Sequence, residues 1–123
     1  MVIHGTVVGL QARINLIICL SQSSNIEIEC VVDTGFEGYL TLPSAVINKL
    51  GLPYLARIDA NLADNSSVPV NVHLVTILWN GIERDVAVLV MGSRPIIGTA
   101  LLEDCHLSID FYDGGTVLVD DIL

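Results

Sequence analysis

Alternation of apolar and polar residues, repeated along the chain, is the feature that most limits its fold. Ile26-Glu27-Ile28-Glu29-Cys30 alternates cleanly. So does Tyr54 to Ala63, with Ile58, Ala60 and Leu62 set against Arg57, Asp59 and Asn61. Val68 to Leu74 repeats the pattern, with Val68, Val70, Val72 and Leu74 set against Pro69, Asn71 and His73. A period of two places the apolar side chains on one face of a strand. The chain is therefore read as mostly β.

Turn signals divide these strands. Gly9-Leu10-Gln11 separates Val2 to Val8 from Ala12 to Leu20, and Ser21 to Asn25 is a polar turn before Ile26. Tyr39 to Leu42 is a short strand. Pro43-Ser44 then opens the one helix, with Ala45, Val46, Ile47 and Leu50 as its apolar stripe and Gly51 as its stop. Asp64 to Ser67 joins the two later alternating segments into a hairpin. Pro69 has no N–H for a ladder, which gives that hairpin a free edge. It is either a flap over a cleft or an ordinary surface hairpin. Asn80-Gly81 signals a type I′ turn between Leu74–Trp79 and Ile82–Val90. Thr99 to Glu103 makes a short helical turn. His106 to Phe111 and Thr116 to Ile122 close the chain as a hairpin around Tyr112 to Gly115. Without repeat or linker, residues 1–123 read as one domain.

Composition narrows the function. The chain is 52% hydrophobic and 15% charged, enough apolar material for a core and a buried subunit interface. Its net charge of −9 repels phosphate backbones and anionic lipid, which argues against nucleic-acid and membrane partners. Apolar runs such as Val86 to Met91 fall short of the roughly 20 residues a spanning helix needs. Met1 to Leu10 holds no Lys or Arg, unlike a signal peptide. Cys19, Cys30 and Cys105 are odd in number and set among apolar residues. They read as buried, reduced thiols of a cytoplasmic protein.

The chemistry concentrates at Cys30-Val31-Val32-Asp33-Thr34-Gly35-Phe36. An acid directly after an inward-driving strand is costly unless it is hydrogen-bonded or protonated. Gly35 leaves room for backbone N–H groups to approach the carboxylate. Asp-Thr-Gly alone also reads as a turn. A second apolar segment broken by glycine, Pro95-Ile96-Ile97-Gly98-Thr99-Ala100-Leu101-Leu102, follows. Other constellations are weaker. His4, His73 and His106 lie in different strands, no zinc spacing occurs, and no phosphate loop or G-x-S-x-G is found. Trp79 reads as core or interface.

Together, Asp33-Thr34-Gly35, the hairpin about 30 residues on and Ile97-Gly98 with Leu101-Leu102 resemble the retroviral-type (retropepsin-like) aspartic proteases, in a non-viral form. The likeness runs from about Val2 to Phe111. It implies an all-β, single-lobe closed barrel with one short helix after the active-site loop and a flap hairpin. It also implies an aspartic endopeptidase acting on a peptide or protein substrate without metal or organic cofactor. The reaction needs two carboxylates sharing a proton, a pair for which aspartic proteases are the standard illustration. This chain offers one Asp-Thr-Gly, so the resemblance implies a homodimer with Asp33 of each copy at the two-fold axis.

By the same resemblance, Asp33 is catalytic, and Thr34, Gly35 and Gly98 support its loop. Phe36, Ile97 and the flap-tip residues Ala63, Asp64, Asn65 and Ser66 contact substrate. Phe36 stands where the family usually has Ala or Ser, so its ring either lines the cleft or packs inward. The flap tip lacks the glycines of viral enzymes. Two rivals remain: a homodimeric peptide-binding module without turnover, and a dimerising regulatory β-domain.

Overall fold

A computed structural model describes residues 2–122. They form β1 (Val2–Val8), β2 (Gln11–Cys19), β3 (Ile26–Val32), β4 (Leu40–Leu42), α1 (Ser44–Leu50), β5 (Tyr54–Asn61), β6 (Ser67–Trp79), β7 (Ile82–Val90), β8 (Ile96–Ile97), β9 (Cys105–Ile109) and β10 (Thr116–Asp121). The strands pair in the order β5-β6-β7-β4-β8-β3-β2-β1-β10-β9, and β6 also pairs with β2. That extra pairing makes a closed circuit of β2, β3, β8, β4, β7 and β6. No helix among the described residues is long and apolar enough to cross a membrane.

The two-residue period sets the core. Along β2, Ala12, Ile14, Leu16 and Ile18 are buried, and Cys30, Leu40, Leu42, Val88 and Ile97 meet them from neighbouring strands. Trp79 is buried in the same core. Two hairpin turns follow their sequence signals. Asn80 and Gly81 take φ of 53° and 77°, and Gly9 and Leu10 take 57° and 60°. Two consecutive positive φ values match the twist of the flanking strands. Gly9 adopts this freely, whereas Leu10 is a bulky residue in a region that disfavours it.

The sequence divides Val68–Leu74 from Leu74–Trp79, but the structure joins them in the single strand β6. Its buried residues change parity midway, from Val70 and Val72 to Val75, Ile77 and Trp79. One edge also changes partner, from β5 (up to His73) to β2 (Thr76 to Leu78). β6 thus begins in the β5–β6 hairpin and ends in the core. Between Ser67 and Asn71 its other edge carries no strand, since pairing to β7 begins at Val72. The free edge expected from Pro69 is present.

Pro43 proves to be the residue before the helix, with ψ 150°, rather than its first turn. Of the expected stripe, Ile47 is buried, Val46 and Leu50 are half-buried, and Ala45 is exposed. Beyond Gly98, N–H groups of Leu101 and Leu102 donate to carbonyls three residues back, making the short helical turn. Burial of the thiols is partial: Cys30 is buried, but Cys19 and Cys105 are only half-buried.

β8 is the keystone of this arrangement. It lies between β3, to which it runs parallel, and β4, to which it runs antiparallel. Residues 33–39 leave β3 on one side of β8 and return to β4 on the other. A side chain at Gly98 would overlap the Gly38 carbonyl, the Phe36 carbonyl and the Phe36 ring. Gly98→Ala is accordingly expected to cost roughly 3 kcal/mol, measured by urea unfolding. Burial, and secondarily the charge of Glu29, pushes the Cys30 thiol up to about 12. Cys30 should resist iodoacetamide at pH 8 in the folded protein and react once the chain is unfolded, as counted by mass spectrometry.

Candidate active site

Val31 and Val32 carry β3 to its end, where Ile97 accepts the Asp33 N–H at 2.9 Å and ends the parallel pairing. The chain then turns sharply, with the Phe36 N–H donating to the Asp33 carbonyl at 3.2 Å. Inside that turn the Gly35 N–H donates to Asp33 Oδ1 at 2.8 Å. A Cβ on Gly35 would press against the same oxygen. Asp33, Thr34 and Gly35 are all exposed. The carboxylate therefore stands at the surface end of an inward-facing strand, and the heavy burial cost anticipated from the sequence does not arise.

The loop is held from behind. Thr99 donates to the Phe36 carbonyl through its N–H (2.8 Å) and its hydroxyl (3.3 Å). Gly98 N–H donates to the Tyr39 carbonyl at 3.1 Å, and Ala100 N–H to that of Gly38 at 3.2 Å. The Phe36 ring lies against Gly38 and Gly98. Of the two placements open to it, the ring takes the inward one.

A cavity of about 290 Å³ opens beside Asp33, lined among others by Thr34, Val32, Leu10, Arg94 and Phe111. Neither Phe36 nor Ile97 lines it. Ile97, expected to contact substrate, is fully buried, because its side chain fills the core while its carbonyl serves the loop. Its neighbour Ile96 reaches the cavity instead. Leu10, Arg94 and Phe111 escape the sequence reading. Their approach follows from β2–β3 pairing (Arg13 opposite Val31) and β3–β8 pairing, and no local pattern announces either.

Ala63, Asp64, Asn65 and Ser66 form the tip of the β5–β6 hairpin, all exposed, and none lines the Asp33 cavity. The tip is closed by Leu62 N–H to the Ser66 carbonyl (2.8 Å) and Asn65 N–H to the Leu62 carbonyl (3.0 Å). Asn65 supplies the positive φ, 67°, that glycine often provides. The Asp64 carboxylate accepts from the Ser66 hydroxyl and from the Ser66 N–H (3.0 Å). These bonds hold its pKa below the usual value.

A larger cavity, about 450 Å³, lies elsewhere, beside Cys19, Lys49 and Leu52. Burial, then hydrogen bonding to Glu83, raises the Cys19 thiol, which keeps it protonated and a poor nucleophile. Among the described residues, no group of three or more His, Cys, Asp or Glu is arranged to hold a metal ion. The chemistry available lies at Asp33: a solvent-facing carboxylate on a backbone-clamped turn, with its approach open.

The sequence matches no protein-family model and no curated protein. Among solved structures, the chain is similar to a retropepsin-like aspartic protease from Rickettsia conorii, with a TM-score of 0.63 and 18% sequence identity. The likeness covers 96% of this chain and 90% of that one. An agreement that extends over nearly the whole of both chains at so low an identity is an agreement of fold. The chain therefore carries the retropepsin-like fold.

Proposed function

We propose that this chain is an aspartic endopeptidase whose catalytic dyad forms from Asp33 of two copies in a homodimer. The observation that carries the reading is the clamped Asp33-Thr34-Gly35 turn, whose carboxylate is oriented by a backbone N–H and left open to solvent. One carboxylate draws a proton from a water as that water attacks the peptide carbonyl. The other donates its proton to the carbonyl oxygen, and the first then passes the proton it took from the water to the departing amine as the C–N bond breaks. Two full charges about 3 Å apart would repel by roughly 5 kcal/mol at an effective dielectric of 20, so the pair works with one shared proton. A single copy, with one such motif, lacks the second half of this machine.

Thr34, exposed beside Asp33, is free to bond across the axis and stiffen the two loops. Gly35 and Gly98 serve the same loop by allowing close backbone approach. The β5–β6 hairpin, with its free edge, is suited to cover an extended peptide and add main-chain hydrogen bonds. Ala63, Asp64, Asn65 and Ser66 would then meet substrate. The binding-module alternative leaned on Phe36 obstructing the cleft. With its ring against Gly38 and Gly98, that obstruction is lifted and turnover is favoured. The three unpaired cysteines support a cytoplasmic location.

Incubation with a mixed peptide library between mildly acidic and neutral pH is expected to show cleavage by the parent and none by Asp33→Asn. Equal silence would favour a binding role. Mass measurement in solution should find a dimer at micromolar concentration, with specific activity falling as dilution dissociates it. A protein found only as monomer yet fully active would defeat the shared dyad. The hairpin tip should be acid-sensitive. Asp64 has a lowered pKa in the folded state, so its support is complete above about pH 3.8 and is lost as pH falls through that lowered value. Protection of the Ser66 amide, taken as the ratio of its exchange rate to the intrinsic rate at each pH, should fall over that range, and Asp64→Asn should show reduced protection already at neutral pH.

A further inference from the structure

We propose that Arg94 is a specificity-determining residue, selecting peptides with an acidic side chain next to the cleaved bond. The inference rests on the endopeptidase reading of Asp33 and names the substrate class that site takes. The chain has five basic residues against 14 acidic ones, so cations are scarce and their placement is informative. Two of the five converge on one amide: Gln11 Oε1 accepts from Arg94 Nη1 at 2.6 Å and from Arg13 Nη2 at 3.2 Å.

The two arginines are not equivalent. Arg13 is half-buried and paired with Glu29 at 2.9 Å, so its charge is answered within the protein. Arg94 is exposed, and among the described residues no carboxylate lies within 4.0 Å of it. Gln11 anchors one edge of its guanidinium, and the remaining donors of that planar fork are free for a ligand. Arg94 lines the cavity that holds Asp33, and among the described residues it is the one cation in that lining. Apolar side chains, among them Leu10, Val32, Ile96 and Phe111, share the lining with the polar Gln11, Asp33 and Thr34.

Such a cavity favours a side chain with an aliphatic stem and an anionic tip, and glutamate fits that description. The surrounding charge of −9 repels anions at long range. A local cation in a partly enclosed recess is what lets an acidic residue settle there. Placement is firm, because the adjoining Pro95 carbonyl accepts the Val31 N–H at 3.0 Å and so ties this segment to β3. In a symmetric pair of copies an Arg94 stands on each side of the scissile bond, so the preference applies to both flanking positions.

The test uses matched peptides with Glu or Gln at either residue flanking the cleaved bond and amidated C-termini, so that the side chain supplies the only carboxylate compared. The parent should cleave the Glu peptide with kcat/KM about tenfold higher at low salt. The advantage should shrink at high salt. Arg94→Gln should bring the ratio close to one, and Arg94→Lys should restore part of it. An equal ratio in parent and Arg94→Gln overturns the inference. So does a preference seen only when a free C-terminal carboxylate replaces the side chain. If the parent cleaves nothing, the endopeptidase reading fails, and binding of the same peptides by fluorescence anisotropy then decides Arg94 separately. Tighter binding of the Glu peptide that disappears in Arg94→Gln supports it, and indistinguishable binding rejects it.

Discussion

The close contact between Gly98 and the loop running from Asp33 to Tyr39 is the constraint on which the rest of this structure depends. β8 is only two residues long, too short to stabilise a sheet by itself. It holds its position because β3 and β4 flank it and because Thr99 and Ala100 continue the hydrogen bonding into the loop. A Cβ on Gly98 would separate these backbones, and the four backbone hydrogen bonds to the loop (at Asp33, Phe36, Gly38 and Tyr39) would lengthen together. The orientation of one exposed carboxylate is thus set by a buried glycine 65 positions away in sequence.

This clamp explains why an exposed acid can be well placed. Exposed carboxylates ordinarily sample several rotamers, and solvent screens whatever partners they find. Asp33 is fixed by its turn, through the Gly35 N–H inside and the Phe36 N–H across. Phe36 adds an apolar surface behind the turn, where the ring covers Gly38 and Gly98. A residue that looks like an intrusion in the sequence therefore acts as packing for the loop. Asp33 thus combines firm placement on the loop side with open solvent on the other.

The β1–β2 and β5–β6 hairpins stand differently toward the Asp33 cavity. The β1–β2 turn brings Leu10 and Gln11 to the cavity, with Gln11 steering Arg94. The β5–β6 hairpin keeps away from the cavity in the single chain, with its tip closed by Asp64 and Ser66 and not by glycine. The tip is therefore held by side-chain hydrogen bonds to one carboxylate as well as by its backbone.

Alternation along β2, β3, β5 and β6, the Asn80-Gly81 turn and the Gly51 helix stop were all legible in the sequence, because each is a local property of a few adjacent residues. Asp33-Thr34-Gly35 was legible for the same reason, as was the partnership of Ile97-Gly98 through its resemblance to a known pattern. The merging of two alternating segments into β6 was not, since the change of partner from β5 to β2 depends on strands far away in the chain. Nor was the inward turn of Phe36, which needs the bare backbone of Gly98, or the burial of Ile97 with Ile96 taking its place at the cavity. Arg94 could be singled out only once β8 had been laid against β3, because its significance lies in the cavity it shares with Asp33 and the sequence around it carries no sign of that company.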